Sequence, residues 1–318
     1  MLQDQYSLMG IRYLHNNQIR RELWDHAVNH SLTGKIYHLS WYLDAVSPNW
    51  HALVANNYQL AMPLTWRKKL GISYLYQPLL SQQAGIFSST AVRPDQVQEF
   101  MSSIPTRFRL AEITLNYGNP ICPGPFRFQW HTTYLLRLNN SYEEIARHYS
   151  SNHRRNLQKA ANRDLRFTSE INQDEFLDLL EADQSPGSKI LLSDTNKPLL
   201  IRLISAMTRQ RSGIIFGVRD PEGSLIAAVL TGIHRQVLYY LAPAMTNTGQ
   251  EQRAMFYLID RIIHQYAGQD YLLDFEGSDI PNVARFYKGF GPEPQSYPSM
   301  RFNRLPPLLK AVTPGRFH

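Results

Sequence analysis

The sequence predicts a mixed α/β protein built as two successive halves, each a mostly antiparallel mixed sheet flanked by helices. Three observations predict it. Short runs rich in aromatic and aliphatic residues alternate with amphipathic helical runs along the whole chain. A proline- and glycine-bearing stretch, YGNPICPGPFRFQW at 117–130, interrupts that alternation once. The chain has 318 residues, about the length of two ordinary domains, and its 12% aromatic content supplies bulk for two cores.

In the first half, LSWYLDAV (39–46) spaces its apolar residues for a helix face. WHALVANN (50–57), YQLAMPLTW (58–66) and ISYLYQPLL (72–80) read as strands, with Asn56 and Asn57 placed where a tight hairpin needs positive φ. Pro94 opens a helix reaching Ser103, and RLAEITLN (109–116) reads as another strand. The stretch 117–130 is expected to be a loop, followed by a strand over 131–138. Ser141 and Glu144 form a capping-box pattern at the start of a helix over 142–163, so the halves are set at 1–140 and 141–318.

The second half predicts further helices at 173–183 and 197–210. GIIFGVRD (213–220) and SLIAAVLTGI (224–233) then pair across the turn Pro221-Glu222-Gly223. QVLYYLAPA (236–244), a helix over 252–267, a strand over 271–277, a helix over 282–290 and a strand over 296–303 complete the order.

Composition excludes several classes. No run reaches the ~20 apolar residues of a membrane span, and the N-terminal residues lack an apolar core behind a basic start, so a cytoplasmic protein is expected. A single cysteine, Cys122, rules out an internal disulfide and a multi-cysteine metal site. Eleven histidines show no paired spacing, so no metal is expected, and His153 is assigned to a basic helix face. There is no Gly-x-Ser-x-Gly elbow and no P-loop. A formal charge of +7 fits a phosphate-bearing partner or a generally basic surface.

Three segments, in this order and spacing, carry a family resemblance. They are YSSNHRRNLQKAANRDLRF (149–167), GVRDPEGSLIAAVLTGIHRQVLYYLAPA (217–244) and LLDFEGSDIPNVARFYKGFGPEPQSYP (272–298). Together they resemble the tandem-GNAT group that holds the FemABX peptidyltransferases and acetyltransferase-like relatives. The resemblance implies two GNAT-like domains with the working site in the second. It also implies transfer of an acyl or aminoacyl group to an amine acceptor, such as a peptidoglycan-precursor-like molecule. The donor is then acetyl-CoA or another acyl-CoA as cosubstrate, or aminoacyl-tRNA. Two departures bear on the donor. The stretch equivalent to the pyrophosphate loop, Thr248 to Ala254, has one glycine where the family has two, and Glu251 there opposes a phosphate. The peptidyltransferase Phe-Lys pair becomes Phe286-Tyr287, with Lys288 displaced by about 100° around the helix.

The candidate residues follow from these segments. Arg155, Lys159 and Arg163 recur every four residues on one helical stripe, widened by Arg147 and Arg154. Such a stripe could follow phosphates or simply face solvent. Tyr239 and Tyr240 stand on the strand that GNAT-like folds place at the cleft, and their side chains alternate, so one at most lines it. Either a cleft hydroxyl for the transferred carbonyl or a satisfied core tyrosine fits. Asp274 and Glu276 are expected on one face of a strand; Glu276 is the candidate base for the amine, or else pairs with Arg285. Arg285 and Lys288 are three apart on a helix and suited to steadying an oxyanion or to flanking a core. Gln82 is a candidate for hydrogen bonding a polar substrate. A rival reading is a catalytically degenerate member that binds nucleic acid or an acidic partner through its basic face.

Overall fold

The computed structural model describes residues 10–121, 126–277 and 279–307, and the chain forms two compact units. Cys122 lies outside the described residues. The first unit holds residues 1–131 and 296–318, the second residues 132–295.

The first unit begins with β1 (Arg12–Leu14), α1 (Arg21–His30) and α2 (Ser40–Val46). β2 (His51–Ala55) and β3 (Leu60–Leu64) follow as a hairpin, then β4 (Trp66–Lys69) and β5 (Ile72–Tyr76) as another. β6 (Phe87–Ser88), α3 (Pro94–Ser102) and β7 (Phe108–Thr114) complete its first pass. Asn56 and Asn57 take φ of 48° and 51°, the left-handed conformation that asparagine tolerates better than most residues. β1, β2, β3 and β6 form one small antiparallel sheet in that order, and β4, β5 and β7 lie in sequence in a second. Leu53, Met62, Leu75, Phe100, Phe108 and Met300 are buried together in this unit's core.

β8 (Arg127–Arg137) carries the chain from the first unit into the second, and β14 (Glu293–Asn303) carries it back. Residues 299–303 of β14 pair antiparallel with Leu110–Thr114 of β7. The strand expected over 131–138 thus starts earlier, at Arg127, and the FRFQW end of the expected loop is largely strand, since it holds no proline to withhold a ladder N–H.

The second unit contains α4 (Tyr142–Arg147), α5 (Ser151–Ala161), β9 (Arg166–Thr168), α6 (Gln173–Ala182), α7 (Pro186–Leu191) and α8 (Lys197–Arg209). β10 (Gly213–Arg219), β11 (Leu225–His234), β12 (Val237–Met245), α9 (Asn247–Glu251), α10 (Ala254–Tyr266), β13 (Leu272–Asp274) and α11 (Pro281–Lys288) follow. Its strands run β8-β13-β12-β11-β10-β9. All neighbours are antiparallel except β12 and β13. α10 sets Leu258, Ile259, Ile262 and Ile263 against a core containing Phe216, Val218, Val229 and Leu238.

The single helix expected over 142–163 is two. Ser141 caps α4 with the capping box the sequence shows, but Ser150 then accepts from His153 N and starts α5 afresh. His153 is not on the basic face. It is 2% exposed, and its Nε2 lies 2.8 Å from the Phe286 carbonyl while Nδ1 lies 3.0 Å from Ser150 Oγ. A carbonyl can only accept, so Nε2 carries the proton and Nδ1 accepts from the serine. This ring joins α5 to α11, and burial holds its pKa below the usual histidine value. Among the described residues, no helix is long and apolar enough to cross a membrane.

Candidate functional site

β12 and β13 pair in parallel for three residues only, ending at Tyr239 and Asp274. Beyond that point β12 runs on to Met245 with β11 as its partner, through a bulge where Tyr240 to Ala242 face Leu230 and Thr231. The chain after Asp274 turns away. The parallel pair therefore parts at its carboxyl end, which is where sheets of this kind collect ligands.

Glu276 lies two residues beyond the end of that parallel pair, in a geometry the sequence did not predict. β13 stops at Asp274, and Glu276 takes φ +57 with Gly277 at φ +54. The expectation that Asp274 and Glu276 share one strand face is thus corrected. Asp274 is fully buried; its Oδ1 accepts from Thr133 Oγ1 at 2.6 Å and from the Glu276 amide at 3.0 Å. A buried carboxylate that captures the amide two residues on can form a turn where a strand would otherwise continue. Glu276 is half-buried.

Beside it stands Tyr287 of α11, 7% exposed and stacked on Phe275 with ring centroids 5.0 Å apart. Burial first, and the charge of Glu276 second, raise the Tyr287 pKa, so its hydroxyl keeps its proton at neutral pH. Spacing along the chain does not single out Tyr287, because what marks it is its stacking on Phe275 and the field of Glu276. Tyr239 and Tyr240 are both buried, at 1% and 3% exposure. Tyr240 donates to Met255 Sδ at 3.0 Å, and burial raises its pKa well above the ordinary value.

Arg285 and Lys288 do come together. Both are exposed and line one pocket of about 670 Å3 with Ser150, Asn152, His153, Phe256, Asn282, Phe286 and Gly289. Arg285 donates to Asn282 Oδ1 at 3.3 Å, and Lys288 Nζ lies 5.6 Å from the Tyr134 ring centre. On α5, Arg155 and Lys159 are exposed, and Arg154 turns back to donate to the Tyr149 carbonyl at 2.5 Å; Arg163, expected on the same helical stripe, is exposed in the turn after the helix ends at Ala161. Gln82 belongs to the first unit, where its Oε1 accepts from Gln83 Nε2 at 2.8 Å.

The loop from Thr248 to Ala254 gains a physical account. A Cβ on Gly249 would fall 2.2 Å from the Ile226 carbonyl oxygen, so this glycine is required by packing against β11. Thr246 Oγ1 caps α9 by accepting from Gly249 N at 3.0 Å. α10 starts behind Arg253 at φ +62, with no acidic residue in its first turn. Among the described residues, the buried Arg253 Nε and Gln252 Oε1 have no hydrogen-bond partner.

Residues 146–286, all within the second unit, match the family model described as an acetyltransferase (GNAT) domain. Over those residues the chain is similar to a GNAT domain. Its likeness to solved structures extends beyond that domain. The crystal structure of FemX superposes with a TM-score of 0.64 at 11% identity, covering 95% of this chain and 99% of FemX. A tandem GNAT protein from the clavulanic acid biosynthesis pathway gives 0.53 at 9% identity, covering 93% and 99%. The C-terminal domain of a putative lysylphosphatidylglycerol synthetase from Agrobacterium fabrum gives 0.54 at 10%, covering 90% and 92%. The fold is that of the tandem-GNAT, FemX-like group. No curated protein sequence matches the chain.

Proposed function

We propose that the GNAT domain transfers an acyl or aminoacyl group from an activated donor to an amine, with Glu276 as the base that accepts the amine proton. The observation that carries this is the placement of Glu276 in a left-handed turn where β12 and β13 part, beside a protonated Tyr287. An amine attacks only as the free base. Glu276 takes the ammonium proton; the nitrogen bonds to the acyl carbon; the C–S bond of a thioester or the C–O bond of an aminoacyl ester breaks. The departing thiolate or alkoxide takes up a proton, giving an amide and a free thiol or hydroxyl. The Tyr287 hydroxyl, which keeps its proton, is a neutral donor suited to charge developing on the carbonyl oxygen. Among the described residues β12 has no second ladder partner beyond Tyr239, which supports the reading, since a donor backbone or pantetheine-like arm can complete that ladder.

Two donors remain chemically apt. An acyl-CoA would set its phosphates at the α10 N-terminus near Arg253, and an aminoacyl-tRNA would run its phosphates along Arg155 and Lys159. The acceptor is an amine, with a cell-envelope precursor as the candidate class. The test begins with thermal-shift titrations of acetyl-CoA, CoA and bulk aminoacyl-tRNA, since binding to the native state raises the unfolding midpoint. Transfer to amines is then followed for wild type and Glu276→Gln. The expected loss is about 100-fold or more in turnover, with the donor-induced shift retained. Wild-type turnover in Glu276→Gln would remove Glu276 from the reaction.

A non-catalytic binder of nucleic acid or an acidic partner is favoured by one observation, the exposed Arg155 and Lys159 on α5 with Arg163 exposed in the turn that follows. It predicts salt-sensitive binding lost in the Arg155→Glu/Lys159→Glu pair and untouched by Glu276→Gln.

A further inference from the structure

The β4–β5 hairpin of the first unit ends in a two-residue turn. Lys69 pairs with Ile72, and the two residues between them, Leu70 and Gly71, take φ of 50° and 78°. Two-residue turns with both φ positive favour asparagine, aspartate or glycine at the first place, and a leucine there is held at a conformational cost. This leucine is also bare: Leu70 is 92% exposed, more than any other large hydrophobic residue described. An added Cβ on Gly71 would meet nothing within 4 Å, so the tip projects into solvent.

Three cations precede the tip. Lys68 and Lys69 are exposed, and the Arg67 guanidinium lies 4.2 Å over the Tyr76 ring centre. Strand alternation sets Arg67 and Lys69 on one face and Lys68 on the other. Among the described residues none of the three pairs with a carboxylate. At about 3.3 Å per residue all lie within roughly one Debye length of Leu70. β4 is a terminal strand of its sheet, and lysines on such a strand also deter pairing with other chains. That role does not call for an apolar residue at the tip.

The charge of the whole chain points the same way. The first unit holds 15 Lys/Arg against 7 Asp/Glu, and the second 18 against 19, so the first carries +8 of the net +7 and the second −1.

We propose that the β4–β5 hairpin docks the first unit on an anionic phospholipid surface, with Leu70 entering the acyl boundary and Arg67, Lys68 and Lys69 at the level of the phosphates. Apolar insertion ringed by cations is the chemistry of reversible interfacial binding. RNA offers the same phosphates but nothing for a bare leucine. The inference stands independently of the acyl-transfer reading.

The experiment is flotation of the purified full chain with vesicles of equimolar phosphatidylglycerol and phosphatidylcholine, against phosphatidylcholine alone. The chain should float with the anionic vesicles only, and less as salt rises. Leu70→Ser should weaken partitioning about tenfold. Lys68→Glu/Lys69→Glu should weaken it by more than about twentyfold, each cation near such a surface being worth roughly fivefold. Thermal midpoints identify any variant that misfolds, and Leu70→Ser alone then decides. Failure to float at low salt overturns the proposal. So does wild-type partitioning of Leu70→Ser, or loss only in the charge variant together with displacement by RNA, which would make the hairpin a polyanion site.

Discussion

A glutamate held at φ +57 costs about 1–2 kcal/mol relative to a right-handed or extended residue, and glycine escapes that cost. Glycine also brings about 0.5–1 kcal/mol of extra unfolded-state entropy, so the two effects partly cancel. Glu276→Gly is therefore expected to raise the unfolding free energy by up to about 1 kcal/mol in a denaturant titration while removing acyl transfer. A variant more stable and inactive separates a chemical role from a structural one. Asp274 should behave in the opposite way. Asp274→Ala strands the buried Thr133 hydroxyl and the Glu276 amide, and the chain should lose at least about 2 kcal/mol. The residues themselves were partly legible in sequence. Glu276, Arg285 and Lys288 carried their charge in readable positions. Tyr287 did not, and Tyr239 and Tyr240 could not be distinguished from cleft residues, because burial against Phe275 and Met255 is made by distant parts of the chain.

At the scale of elements, hairpins and capped helices were readable because their determinants are local. Asn56-Asn57, Pro221-Glu222-Gly223 and the Ser141 capping box each act within four residues. The misread elements share a non-local cause. β13 ends early because Asp274 is fixed by Thr133, 141 residues away, and α5 restarts where His153 is drawn to Phe286 on α11. That joint is tight: a Cβ on Gly289 would fall 1.8 Å from His153 Cε1, while Ser150 N donates to the Gly289 carbonyl at 2.9 Å. Gly289→Ala should displace the ring and cost roughly 3 kcal/mol or more, read as a lowered thermal midpoint; His153→Ala combined with it should recover part of the loss. Recovery would show the clash is with that ring and not with the backbone.

Across the whole molecule, each unit holds a histidine kept neutral by its surroundings. Burial is the main cause for both; it is aided by Arg107 at His51 and by Arg235 at His234, and it lowers each pKa to about 4. In the unfolded chain these rings take a proton near pH 6.5. Stability from their neutral forms is present in full above that value and drains as the pH falls from about 6.5 to about 4, where the folded rings also protonate. The unfolding midpoint should fall over that interval, and His234→Gln should flatten the fall. An unchanged slope in His234→Gln would assign the acid sensitivity elsewhere. The uneven charge was legible in the composition only as +7; its concentration needs the unit boundary, including the return of residues 296–318, which carry four basic residues and no acidic one.

That return also sets a timetable for synthesis. Every residue of the second unit has been polymerised once the chain reaches 295, whereas β7 still lacks its neighbour from residues 299–303. The later stretch of messenger RNA thus completes the earlier half of the protein. Until it is translated, β7 waits beside β5 with one margin open, and any delay over the codons for 299–303 prolongs the interval in which a nascent chain can pair wrongly with its neighbour on the same polysome.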